Sequence, residues 1–129
     1  MAYDPDRLPD EVLAFLTERH LAMLTTEGLD GRPHLTAVGF TFDAAERLVR
    51  VITSGDSQKA LNARRGGRAA VGQVDGARWL SLEGPVEVTD DPARVARAVA
   101  DYTVRYRPPR ENPKRVALEI TVERILGRP

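Results

Sequence analysis

Arg50-Val-Ile-Thr-Ser-Gly-Asp-Ser-Gln-Lys59-Ala-Leu-Asn-Ala-Arg64 passes from an apolar, β-branched run into a Gly/Ser/Asp turn, and from the turn into a helix that opens on Ser57, Gln58 and Lys59. A helix start gathers free backbone N–H groups and the positive end of the dipole. A hydroxyl, an amide and an ammonium on the same turn add charge-assisted bonds to a phosphate. The same letters also describe an ordinary helix capped by Ser57 or Asp56 with a solvated Lys59. Local pattern does not separate the two, so the surrounding elements decide what the turn is for.

Upstream, His20-Leu-Ala-Met-Leu-Thr-Thr26 and Pro33-His-Leu-Thr-Ala-Val-Gly-Phe-Thr-Phe42 are β-rich runs separated by the turn residues of Gly28-Leu-Asp-Gly-Arg32, which predicts a hairpin. Asp43-Ala-Ala-Glu46 is a second short turn before Arg47-Leu-Val-Arg-Val-Ile-Thr53, so the first strands form an antiparallel meander rather than a βαβ unit. Ahead of them, Pro9 to Arg19 carries early acids, a late arginine and an apolar stripe of Val12, Leu13, Phe15 and Leu16, the pattern of a helix over one end of a sheet.

Downstream, the helix after the turn ends at Arg64-Arg-Gly-Gly67, where glycine accepts the left-handed C-cap conformation. Arg68 to Val74 and Arg78 to Thr89 read as strands joined at Asp75-Gly76, the second interrupted by Gly84-Pro85, which predicts a bulge or bend where the sheet curls. Asp91-Pro92 starts a helix with Val95, Val99, Tyr102 and Tyr106 on one face, and the prolines of Arg107-Pro-Pro-Arg-Glu-Asn-Pro113 end it. Val116, Leu118, Ile120 and Val122 alternate with polar or small residues as a half-buried strand. About six strands and three helices with short connections predict a mainly β chain with peripheral helices, a six-stranded antiparallel barrel spanning residues 1–129 as one domain. Such a barrel is filled by its own side chains, so a large ligand lies outside it, against a loop, a helix start or a second subunit, and a homodimer is expected.

Lys+Arg and Asp+Glu number 19 each, so no global field draws the chain to nucleic acid and basic character must be local. The absence of cysteine removes disulfides and thiolate chemistry and suits a cytoplasmic location. His20 and His34 are not spaced as ligands, so no metal is expected, and no apolar run approaches the ~20 residues of a membrane helix.

In this order of elements, Arg32 to Phe42, Val49 to Thr53 with Ser57-Gln-Lys59-Ala-Leu-Asn62, and Asp75-Gly-Ala-Arg-Trp-Leu-Ser-Leu-Glu-Gly84 resemble the pyridoxamine 5′-phosphate oxidase-like split-barrel flavoproteins over residues 8 to 126. The chain looks most like their actinobacterial branch that uses the deazaflavin coenzyme F420. Gln73 to Gly84 and Tyr106-Arg-Pro-Pro-Arg110 are especially similar to F420-dependent biliverdin reductases. The resemblance implies a homodimer with the cofactor between subunits. It implies phosphate contacts from Thr53, Ser57, Gln58 and Lys59, a ring and ribityl chain lined by Thr36, Ala37, Val38, Arg50 and Ile52, and Arg78 and Trp79 approaching from the other subunit. Two departures stand out. The chain lacks the C-terminal Arg/His segment of the oxidases that act on pyridoxal compounds, and Ser57 stands where many relatives place an arginine two residues before the turn lysine.

Alternatives accompany several of these residues. Arg50 also reads as an edge snorkeller or an ion-pair partner of Glu83 or Glu87, Trp79 as rim packing, and His34 as a structural histidine. The cluster Arg105, Arg107, Arg110, Lys114 and Arg115 reads either as a carboxylate site for a tetrapyrrole or the acidic cofactor tail, or as a solvated face. The expected activity is hydride transfer from reduced F420 to a conjugated small molecule such as biliverdin. The alternatives are an FMN-binding oxidoreductase of the same fold and a non-catalytic F420 or tetrapyrrole carrier. No catalytic residue is singled out.

Overall fold

The computed structural model describes residues 1–129. In chain order the elements are β1 (Ala2–Tyr3), α1 (Asp10–Thr17), β2 (Ala22–Glu27), β3 (Pro33–Val38), β4 (Thr41–Asp43), β5 (Leu48–Ser54), α2 (Gln58–Arg64), β6 (Arg68–Asp75), β7 (Arg78–Thr89), α3 (Pro92–Arg105), β8 (Arg115–Thr121) and β9 (Arg124–Arg128). Period-two burial produces the strands: in β2 Ala22, Leu24 and Thr26 point inward, and in β7 Leu80, Leu82 and Val86 do. Twenty-one buried apolar residues from both halves of the sheet and from α1 and α2 form one cluster.

All pairings are antiparallel, along the path β3-β2-β6-β7-β8-β5-β4, with β9 on β7 and β1 on β9. The two ends of the path, β3 and β4, do not pair with each other, so the barrel stays split. The sheet turns its corner on β7, whose residues 79–83 pair with β9 and whose residues 86–89 pair with β8. At the handover lies Gly84, where a Cβ would sit 1.8 Å from the Thr121 carbonyl oxygen, so backbone crosses backbone there and no side chain fits. The bend expected at Gly84-Pro85 is this exchange of partners within one continuous strand.

Three details differ from the sequence-based expectation. There are nine strands, because the run 33–42 breaks at Gly39-Phe40 into β3 and β4 and because the short β1 and the C-terminal β9 add to the sheet. At the break the chain packs against two tyrosines: a Cβ on Gly39 would lie 3.0 Å from the rings of both Tyr102 and Tyr106, and the Phe40 N–H donates to the Tyr106 hydroxyl at 3.2 Å. Helix α3 buries Ala98 and Arg105, while Val95, Val99 and Tyr102 are only half-buried.

Arg105 therefore belongs to neither a solvated face nor a ligand cluster. Its guanidinium donates to the carbonyls of Glu18 (2.9 Å) and Phe40 (2.6 Å) and to Gln73 Oε1 (2.7 Å), and it lies over the Phe40 ring. It ties α3 to the end of α1, to the β3–β4 break and to β6.

Candidate functional site

The candidate site lies where the barrel fails to close. β3 pairs on one side only, with β2, and β5 meets β4 only through residues 48–50, so one edge of Val51–Ser54 is unpaired. Between these edges is a recess of about 300 Å3 lined by Ala37, Val38 and Gly39 from the end of β3, Ile52, Thr53 and Ser54 from β5, Lys59 from α2, Tyr102 from α3, and Pro109, Asn112 and Arg115 from the segment that leads into β8. Edge strands carry N–H and C=O groups that no neighbouring strand satisfies, so backbone as well as side chains face this space.

The turn beneath it is rigidly held. Ser57 caps α2, its hydroxyl accepting the Ala60 N–H at 3.3 Å and the Thr53 hydroxyl at 3.0 Å. The Gly55 N–H donates to the Lys114 carbonyl at 2.7 Å, and Arg64 Nη1 donates to the Gly55 carbonyl at 2.5 Å. The turn is closely packed at Gly55, where a Cβ would stand 3.1 Å from both the Lys114 carbonyl and Arg64 Nη2. The charges then sort themselves. Asp56 and Lys114 pair at 3.3 Å, whereas Lys59 and Arg115 have no carboxylate within 4.0 Å. No acidic residue lines the recess.

Two cations face a half-enclosed space with nothing to neutralise them, which is the electrostatic form of an anion site. Burial holds the Lys59 pKa below the usual lysine value, the cost of keeping that ammonium without a partner. Arg115 is anchored by its side chain donating to the Arg110 carbonyl, and Ser54 pairs with it across β5 and β8.

Of the residues singled out in the sequence, Ala37, Val38, Ile52, Thr53 and Lys59 come together in this recess. Thr36 is next to it on β3 but turns inward opposite Leu24, and Ser57 touches it through Thr53. Gln58 is exposed and donates to Asn62 Oδ1 at 2.8 Å.

Arg50, Arg78 and Trp79 lie elsewhere. Arg50 is buried against α3, with Asp43 at 2.9 Å, Asp101 at 3.4 Å and Glu119 at 3.6 Å, so its charge is spent on three carboxylates rather than on a ligand or on Glu83 or Glu87. Arg94 and Arg97 complete that network on Glu119 and Asp43. Burial raises the Asp43 pKa, but the bonds from Arg50 and the Glu46 N–H with the nearby arginine charges outweigh it and hold the carboxyl below its usual value. A cleft of about 360 Å3 beside this network is lined by Asp43, Arg97 and Asp101, which already satisfy one another.

Arg78 bridges Glu18, at 2.9 Å, and Asp75 and sits over the Phe15 ring. Trp79, 39% exposed, points to the outer face of the sheet while Leu80 and Leu82 fill the core.

Gly39, Ser54, Tyr102, Pro109, Asn112 and Arg115 complete the recess. Tyr102 was legible only as one member of a helix face, and Arg115 as one charge in a basic run. What places them is the register Ser54↔Arg115 and the contact of α3 with β5, both of which join residues far apart in sequence.

Comparison with known proteins adds an independent line. The family model described as pyridoxamine 5′-phosphate oxidase matches residues 8–128. A protein of Mycobacterium tuberculosis (strain CDC 1551 / Oshkosh) named F420H(2)-dependent biliverdin reductase is 59% identical over 121 residues, covering 94% of this chain and 88% of that protein. Among solved structures, a conserved hypothetical protein from Mycobacterium tuberculosis superimposes with a TM-score of 0.79 at 28% identity, covering 94% of this chain and 84% of that one. A structure titled F420 Reductase has the same fold, with a TM-score of 0.74 at 23% identity over 92% of this chain and 98% of that one.

Proposed function

Because the chain belongs to the pyridoxamine 5′-phosphate oxidase family, we propose that it is an F420H2-dependent reductase that converts biliverdin to bilirubin. The observation that carries this reading is the acid-free recess at the split of the barrel, where Lys59 and Arg115 stand without carboxylate partners. The mycobacterial relative, alike over nearly the whole chain, supplies the cofactor and substrate class.

The residues present fit the cofactor. Lys59 and Arg115 would hold a phosphate of the cofactor, with the Thr53, Ser54 and Ser57 hydroxyls and the Asn112 amide in the same turn and segment. When bound, reduced F420 supplies the hydride, and biliverdin, on gaining that hydride at its central methine and a proton from solvent, becomes bilirubin. The chain's own part is orientation and shielding. The unpaired edge of Ala37–Gly39 would offer backbone donors and acceptors to the cofactor, with Tyr102 and Pro109 lining the same recess. Of the eleven residues named from sequence, Ala37, Val38, Ile52, Thr53, Ser57 and Lys59 stay in the proposed cofactor site, with Thr36 and Gln58 at its border.

The proposal includes a homodimer. The outer face of β2, β3, β6 and β7 is covered by no helix and shows Leu35 (63% exposed), Val74 (67%), Met23 (44%) and Trp79 around the small residues Ala37, Ala70, Gly72 and Ser81. Ala37 belongs both to this face and to the recess, so a partner seated here walls the cofactor site and brings its own Trp79 face toward it. Residues 1–129 act as one domain, working in the cytoplasm, and no helix is long and apolar enough to cross a membrane.

The test is anaerobic mixing of the protein with F420H2 and biliverdin. Oxidised F420 and bilirubin absorbance rise together if the reading holds. No change in either, or tighter binding of FMN than of F420, overturns it.

A further inference from the structure

The recess around Lys59 is one of three that meet at Tyr102. A second, of about 420 Å3, opens between Arg19 and Arg107 beside the exposed Leu21; a third, of about 490 Å3, lies between Arg107, the Pro108–Pro109 pair and Arg110. No acidic residue lines either of them. Arg19, Arg107 and Arg110 are exposed and have no carboxylate within 4.0 Å, whereas Arg32, Arg47, Arg68, Arg78, Arg94 and Arg97 each have one; Arg7, Arg64, Arg65 and Arg128 also stand without one but line none of these recesses. In a chain of zero formal net charge this is a local excess of positive charge, arranged around one aromatic side chain.

The backbone that carries it is stiff. Consecutive prolines fix Pro108 and Pro109, and the Arg115 side chain donates to the Arg110 carbonyl, so the backbone between Arg107 and Arg110 needs little ordering on binding. The Tyr102 ring is itself held, 4.9 Å from the Tyr106 ring, while Tyr106 donates its O–H to the His20 carbonyl at 2.6 Å.

We propose that this groove is the substrate subsite, in which a flat conjugated molecule lies against Tyr102 and its carboxylate arms are held by Arg19 and Arg107 on one side and Arg110 on the other. The inference rests on the reductase reading above and deepens it by naming what recognises the substrate. A planar π-system with apolar edges matches Tyr102 and Leu21, and guanidinium groups match carboxylates in planar, two-point geometry. The acidic glutamyl tail of the deazaflavin has the same carboxylate chemistry. The Arg19–Arg107 recess, however, shares only Tyr102 with the Lys59 recess, so it is set apart from the phosphate end and adjoins the ring end.

The experiment compares biliverdin with its uncharged dimethyl ester, in direct absorbance titrations and in turnover, for the natural protein and for R19Q, R107Q and the double variant. F420 titrations with tails of different length run in parallel, and Arg32→Gln serves as an exposed control. The proposal expects the Kd and KM for the diacid to rise about tenfold in each single variant, as for one lost charge-assisted contact. It expects kcat and the F420 Kd to be unchanged and the ester to bind alike to all forms. Diacid affinity equal to that of the natural protein in the double variant overturns it. So does a loss of F420 affinity that grows with tail length, which would give the groove to the cofactor. A natural protein that binds the diacid more tightly than the ester yet leaves F420H2 unoxidised overturns the reductase reading while supporting the groove.

Discussion

Lys59 and Arg105 are both partly withdrawn from water, both lack a carboxylate partner, and yet they play opposite parts. Arg105 commits Nε, Nη1 and Nη2 to two backbone carbonyls and Gln73, so its guanidinium serves the fold. Replacing it by alanine strands those buried acceptors and should cost on the order of 3 kcal/mol in urea unfolding, with F420 affinity per folded molecule little changed. The Lys59 side chain makes no hydrogen bond within the chain, and its alanine variant should fold normally but bind F420 at least about tenfold more weakly. A pH titration gives the sharper signature. An anion prefers the charged lysine, so affinity is complete below the Lys59 pKa and is lost as pH rises through it. Because burial depresses that pKa, the loss begins at lower pH than for an exposed lysine. Lys59→Arg should keep the affinity and abolish the alkaline decline in fluorescence titrations, since a guanidinium stays charged.

At the scale of elements, β7 carries the fold, and its glycine predicts how firmly. Gly84→Ala forces a methyl onto the Thr121 carbonyl, backbone that cannot step aside, so a loss on the order of 4 kcal/mol or failure to accumulate folded protein is expected. Gly76→Ala, at φ 62° with nothing within 4 Å, should cost only about 1 kcal/mol by the same denaturation assay. The end of α1 is tied to β7 through Glu18, whose carboxyl is held down at about 2 by hydrogen bonds from Arg78 and then His20. A folded-state pKa below the unfolded one contributes stability that is complete above the ordinary carboxylate range and lost as pH falls toward 2. Acid unfolding of Glu18→Gln should therefore show a shallower dependence between about pH 4.5 and 2.

The strands and helices were legible because alternation and capping are local: Val116 to Val122, Ser57 and Asp91 announce themselves within a few residues. The break at Gly39 was not, since the two tyrosine rings packed against it come from α3 and its C-cap, far away in sequence. Nor was the fate of Arg50 and Arg105, whose partners are carboxylates and carbonyls brought together only by folding. The recess was half legible for the same reason. Its β5–α2 side is one contiguous stretch, while its Tyr102 and Arg115 side arrives by long-range register.

For the whole molecule, Ala37 both lines the recess and stands on the bare outer face of the sheet, and the proposed dimer adds a wall to the site at that border. Leu35 tests this because it is 63% exposed and contributes nothing to the core, so a charge there leaves the protomer intact. Leu35→Glu should change unfolding stability of the protomer by no more than about 0.5 kcal/mol. It should shift sedimentation equilibrium from dimer to monomer, because a carboxylate buried at an apolar seam without a partner is expensive. F420 affinity should fall with it, the ligand losing the wall that the second copy supplies. Trp79 reports the same event optically: its indole, 39% exposed on that face, should emit further to the blue as the natural protein is concentrated and stay red-shifted in Leu35→Glu. Sedimentation showing a dimer in Leu35→Glu, or a monomer in the natural protein at micromolar concentration, would place the cofactor wholly within one chain.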